Sequence, residues 1–91
     1  MSPHKKISVD LVIPVFNEAG VVTRSHARVR SVVDELPYAF TFIYVNDGSS
    51  DGTRDLLREI AARGEWPLRV FEQAVNQGKG AALRRGFAEA A

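Results

Sequence analysis

The sequence predicts an α/β protein with three layers, α/β/α, around an open and mostly parallel sheet in the order β-α-β-α-β-α. Two observations carry this. Apolar runs rich in β-branched and aromatic residues alternate with longer stretches of helical spacing. Each apolar run also ends in a polar loop rich in Asn, Asp and Gly, as at the carboxyl ends of parallel strands. A third observation qualifies the first two. Three strands are few for such a sheet and leave edges exposed, and Ala88-Glu89-Ala90-Ala91 carries no cap signal. The fold is therefore expected to be incomplete, with self-association through a sheet edge as one consequence.

Residues 1–6 read as a short basic tail, and residues 7–91 as the folded unit. Ile7 to Val15 is a β-branched run closed by Pro14, as expected of a buried strand. Glu18 to Leu36 places Val22, His26, Val29, Val33 and Leu36 on one helical face, and Pro37 ends it. Phe40 to Val45 is the second strand. Asn46 to Gly52 is a turn by composition. The second helix carries Thr53, Leu56, Leu57, Ile60 and Ala61 on one stripe, with Gly64 as its stop. Leu68 to Phe71 make a short third strand, and Gln73 to Gln77 a loop. The last helix starts near Gly78, with Leu83 and Phe87 expected to face inward.

Composition excludes several classes. Apolar residues are 45% and charged residues 25% of 91, which is ordinary for a globular domain. Twelve Lys+Arg against 11 Asp+Glu give a net charge of +1, so no general field attracts nucleic acid. With no cysteine, no disulfide framework or thiolate metal site arises, and a cytoplasmic location is expected. No window approaches the roughly 18 apolar residues of a spanning helix. His26 lies on the apolar stripe and reads as a packed histidine, and Trp66 as a cover at the core edge. Arg63, Arg69, Arg84 and Arg85 read as solvated faces.

The polar loops hold the chemistry: Pro14 to Glu18, Asn46 to Thr53, and Asn76 to Gly80. In an open parallel sheet all three converge on one rim. Common phosphate motifs fail there. A Walker A loop needs glycine where Gln73 stands and Ser or Thr where Gly80 stands. A dinucleotide fingerprint needs three glycines after strand one, and that loop has only Gly20. A receiver domain would place an acidic pair at the end of strand one, which is absent.

The same loops resemble those of the family-2 glycosyltransferases, which have a GT-A fold with a Rossmann-like half. Pro14 to Glu18 matches Pro-x-Phe/Tyr-Asn-Glu, and Asp47 to Thr53 matches Asp-Gly-Ser-x-Asp-Gly-Thr residue for residue. Asn76 to Gly80 matches Asn-x-Gly-Lys-Gly, a loop most like that of dolichyl- or polyprenyl-phosphate sugar transferases. The resemblance implies binding of a nucleotide-diphosphate sugar, of UDP or GDP type. It gives Asp47 the base-reading role, against a local reading as an Asx-turn cap beside Gly48. Pro14 and Phe16 would wall the nucleoside, with Val45 passing its backbone nearby, although Phe16 also reads as core packing. Glu18 would accept from ribose hydroxyls or simply favour the helix start. Lys79, between Gly78 and Gly80, suits a diphosphate or a solvated turn. Asn17, Gly48, Asp51 and Gly52 are assigned to loop geometry and helix capping.

Within the family the sugar is transferred with inversion, and Mg²⁺ or Mn²⁺ on an Asp-x-Asp element neutralises the leaving diphosphate. No Asp-x-Asp occurs in this chain, and no residue stands out as a catalytic acid, base or metal ligand. The resemblance thus implies a truncated, nucleotide-binding part that is inactive alone. Its complete enzyme would take its metal ligands from elsewhere, act on an acceptor such as a lipid phosphate, and associate with the cytoplasmic face of a membrane.

Overall fold

The computed structural model describes residues 7–64 and 67–90. The tail with His4, and Trp66, lie outside them. The elements are β1 (Ser8–Val15), α1 (Val22–Val33), β2 (Ala39–Asp47), α2 (Thr53–Ala62), β3 (Leu68–Gln73) and α3 (Lys79–Ala90). The strands form one parallel sheet in the order β1-β2-β3. The register pairs Pro14 with Val45 and Val45 with Phe71, so all three carboxyl ends finish at one rim.

Side-chain alternation sorts the strands into two faces. On one, Val9, Leu11, Ile13 and Val15 of β1 join Phe40, Phe42 and Tyr44 of β2 and Leu68 and Val70 of β3. Val22, Val29 and Val33 of α1 and Leu56 and Leu57 of α2 cover this face. Phe42 and Leu57 lose all solvent exposure, each contributing about 1.5–3 kcal/mol by burial. His26 is buried in the same layer. Its Nδ1 shares a 2.7 Å hydrogen bond with the Tyr44 hydroxyl, and its ring meets Phe42 edge-on. It is a packed histidine, as its place on the stripe predicts.

Among the described residues, α3 covers the other face, lying over β1 and β2. Here the inward expectation for Phe87 is corrected, while Leu83 is half-buried. Phe87 is 63% exposed, and the buried positions are Ala82 and Gly86. A Cβ on Gly86 would stand 2.2 Å from Val12 Cγ1 and 3.2 Å from Val45 Cγ2. The helix backbone approaches the sheet too closely for a large residue at the contact, which turns Phe87 outward.

Two further expectations change. α1 runs from Val22 to Val33, not from Glu18 to Leu36. Asn17 has φ +48°, and the chain after it closes a turn in which the Val21 and Val22 amides both donate to the Glu18 carbonyl before the helix begins. At the other end Glu35 and Leu36 donate to the carbonyls three residues back, tightening the chain before Pro37 and leaving Leu36 42% exposed. Arg69 and Arg85 are also more than solvated charges. Their guanidinium groups lie 4.8 and 5.4 Å from the Phe71 ring centroid. Arg85 pairs with Glu89 at 3.1 Å, and Arg69 donates to the Glu89 carbonyl. No helix among the described residues is long and apolar enough to cross a membrane.

Candidate functional site

The loop after β2 is the hub of the rim, and each neighbouring loop is tied to it by a different set of bonds. On the β1 side, the Asn17 amide donates to Ser49 Oγ at 2.9 Å, and the Ser50 amide donates to Asn17 Oδ1 at 2.8 Å. The left-handed backbone of Asn17 turns its amide and side chain toward the same loop. The Glu18 amide donates to Thr53 Oγ1 at 2.9 Å, and the Ala19 amide to Asp51 Oδ2 at 3.1 Å. Asp51 Oδ1 also accepts from the Thr53 amide and hydroxyl. That side-chain bond from Thr53 is the main reason the Asp51 carboxyl lies below its ordinary value of 3.8. Asp51 thus serves the start of α2 while holding the β1 loop. Gly52 is the N-cap residue itself, with φ −80°.

On the β3 side, Gly48 has φ +70°, and a Cβ there would lie 2.3 Å from the Asn76 amide nitrogen. Only glycine allows the two loops to approach this closely. Asp47, 3% exposed, completes the tie. Its Oδ1 accepts from Gln73 Nε2 and the Gln77 amide, and its Oδ2 from the Gly78 amide, all at 2.9 Å. Gly78 has φ +93°, a left-handed position that lets the chain turn into α3. Gly80 has no such demand. It sits in the first turn of α3, where a Cβ would meet only the Arg84 side chain at 3.6 Å.

Between these loops opens a cavity of about 280 Å³ lined by Pro14, Val15, Phe16, Glu18, Asp47, Asn76, Gly78 and Lys79. Pro14, Phe16, Glu18, Asp47 and Lys79, the side chains expected at the nucleotide, are thereby brought together. Phe16 is 44% exposed here, so core packing is not its role. Val45 is not among the lining residues: its side chain is fully buried, with Cγ2 directed at Gly86 of α3, so only its backbone is left to pass near the cavity. In the core beside α1, burial and, secondarily, the Glu18 charge push the Tyr44 hydroxyl up to about 12. The phenol stays neutral and keeps its bond with His26.

Three residues that hold or line the site have no assigned role in the sequence reading. Its spacing puts Thr53 on the apolar stripe of α2, yet its buried hydroxyl joins Asp51 to the Glu18 amide. Asn76 lines the cavity, and Gln73 orients Asp47. Thr53 and Asn76 were visible as polar positions within the matched motifs. Gln73 carries no motif signal.

The described residues contain no group of three His, Cys, Asp or Glu side chains able to hold a metal ion. The cavity has two carboxylates, and Asp47 already has N–H donors on both oxygens. These residues do not fit a divalent cation.

Comparison with known proteins agrees with the loops. The family model described as Glycosyl transferase family 2 matches residues 10–91. Among curated relatives, the undecaprenyl-phosphate 4-deoxy-4-formamido-L-arabinose transferase of Pseudomonas syringae pv. syringae is 32% identical over 96% of this chain and 26% of its own length. The dodecaprenyl-phosphate galacturonate synthase of Rhizobium johnstonii is 33% identical, covering 93% of this chain and 25% of its own. The chain therefore spans about a quarter of the length of these relatives. Its alternating parallel fold carries three motif loops at one rim, and the family match extends from Asp10 through all that follows. The chain belongs to glycosyl transferase family 2.

Proposed function

We propose that the cavity binds the nucleotide part of a nucleotide-diphosphate sugar, of UDP or GDP type, for inverting transfer of the sugar to a polyprenyl phosphate. The observation that carries this reading is the meeting of three loops around one cavity lined by Pro14, Phe16, Glu18, Asp47 and Lys79. Asp47 accepts an N–H of the base, with Pro14 and Phe16 forming the apolar wall. Glu18 accepts from the ribose hydroxyls. Lys79, the first residue of α3, meets the diphosphate as a point charge at that helix start. The lipid acceptor is supported by the relatives, whose names specify undecaprenyl and dodecaprenyl phosphate.

The same reading limits what these 91 residues do alone. Asp47 is occupied by N–H donors, and Glu18 faces the ribose, so neither is free to act as a base on an acceptor. Any divalent cation of the complete enzyme takes its ligands from outside this chain, as do the acceptor and the base. The chain binds nucleotide and transfers no sugar.

Isothermal titration with UDP and with GDP, with and without Mn²⁺, tests this. Saturable binding of at least one nucleotide is expected, and Asp47→Ala should weaken it at least roughly tenfold, the effect of losing a charged hydrogen-bond acceptor. Absence of saturable binding by the wild-type chain, or equal binding by a folded Asp47→Ala variant, would overturn the reading.

A further inference from the structure

Asn46 precedes Asp47 at the end of β2, and strand alternation puts the two side chains on opposite faces of the sheet. The register sets Asn46 beside Glu72 of β3. Neither residue lines the nucleotide cavity; with Ser49 they line a separate polar hollow. Asn46 is 3% exposed, so its amide has to be satisfied inside the protein.

The direction of its hydrogen bonds is set by its neighbours. Ser49 Oγ accepts from the Asn17 amide at 2.9 Å, which leaves its own hydrogen to donate to Asn46 Oδ1 at 2.5 Å. Asn46 Nδ2 then faces Glu72 and donates to Oε1 at 3.5 Å. Two arginines of α2 hold Glu72 from the other side. Arg54 Nε lies 3.2 Å from Oε1, and Arg58 Nη2 lies 3.1 Å from Oε2. Every donor in the series points toward the Glu72 carboxylate. If the Asn46 amide were turned over, Oδ1 would face that carboxylate, oxygen against oxygen. The carboxylate thus orients the amide, the amide orients the hydroxyl, and the hydroxyl holds Asn17.

The series ends where the nucleotide cavity begins. Asn17 has φ +48°, a left-handed backbone that a residue other than glycine keeps only when its surroundings hold it there. Phe16 and Glu18, on either side of it, line the cavity. We infer that Glu72 is a positioning residue for this cavity: through Asn46 and Ser49 it holds Asn17, and with Asn17 the wall formed by Phe16 and Glu18. The effect on binding rests on the proposed nucleotide reading; the effect on Asn17 does not.

Exchanging the polar groups of Asn46 and Glu72 tests this. In Asn46→Asp two carboxylates face each other with no donor between them. In the paired variant, Asn46→Asp with Glu72→Gln, the glutamine amide donates to the aspartate, whose other oxygen still accepts from Ser49. The series is restored, while the carboxylate that pairs with Arg54 and Arg58 is gone. Calorimetry with UDP and with GDP is read on each variant, together with hydrogen exchange of the Asn17 amide in the free chain. Asn46→Asp should weaken nucleotide binding and speed Asn17 exchange roughly three- to tenfold, the net worth of one such hydrogen bond. The paired variant should return both to within about twofold of wild type. If Glu72 served only to pair with its arginines, the order would reverse, with the paired variant weaker than Asn46→Asp; that result would overturn the inference. So would Asn17 exchange in a folded Asn46→Asp variant that matches wild type. If Asn46→Asp does not fold, the paired variant decides, since it must fold, protect Asn17 and bind as wild type does. A wild-type chain that binds neither nucleotide overturns the nucleotide reading instead, and Asn17 exchange then tests the role of Glu72 alone.

Discussion

Asp47 is shared between two tasks, because the groups that hold its carboxylate are those that fix the loop after β3. Thr53 does the same on the opposite side, joining Asp51 to the amide of Glu18. Removing its hydroxyl with an isosteric valine leaves the part-buried Glu18 amide without its acceptor and the Asp51 carboxylate without a donor. Thr53→Val should destabilise the chain by about 1–3 kcal/mol in urea unfolding, and Thr53→Ser should recover most of that. A valine variant as stable as wild type would remove the clamp from the account. The Asp51 end of the clamp adds a pH dependence. Its folded pKa is depressed, so its contribution is complete above the ordinary value of 3.8 and lost as the pH falls through the lower folded value. Much at this scale was legible: the motif loops named most residues that line the cavity. Gln73 was not, because a glutamine at a strand end looks the same whether it faces solvent or a carboxylate.

The strands were the most legible elements, since each apolar run is short and bounded by Pro, Gly or polar loops. The helices were less so. α3 shows why, because helical spacing predicts which residues share a face but not which face lies against the sheet. Hydrophobicity turns Leu83 and Phe87 inward, yet close approach of the backbone puts Ala82 and Gly86 against the sheet, leaving Leu83 half-buried and Phe87 exposed. Gly86→Ala should gain up to about 1 kcal/mol of helix propensity but lose about 1–3 kcal/mol through the clash with Val12. Net destabilisation in denaturant unfolding is therefore expected. Phe87→Ser should fall within about 0.5 kcal/mol of wild type, as surface changes do. A stabilised Gly86→Ala, or a severely destabilised Phe87→Ser, would contradict this packing. α1 was misjudged at both ends for a different reason. Its apolar stripe continues past Val33 to Leu36, but a turn closed on the Glu18 carbonyl precedes the helix and three-residue turns onto Val32 and Val33 follow it.

For the molecule as a whole, the parallel order brings three loops, distant in sequence, to one rim, and the loop after β2 ties the other two to itself. The architecture and the location of the site follow from alternation and loop composition alone. The internal ties do not, because hydrogen bonds between loops thirty residues apart have no periodic signature. The central claim is that these three loops form one nucleotide-binding unit. Amide NMR of the chain titrated with UDP addresses it most directly. Saturable shifts should concentrate at Val15 to Glu18, Asp47, and Asn76 to Lys79, leaving the outer surfaces of α1 and α2 unchanged. Shifts confined to one loop, scattered over the surface, or absent at saturating nucleotide would contradict the account.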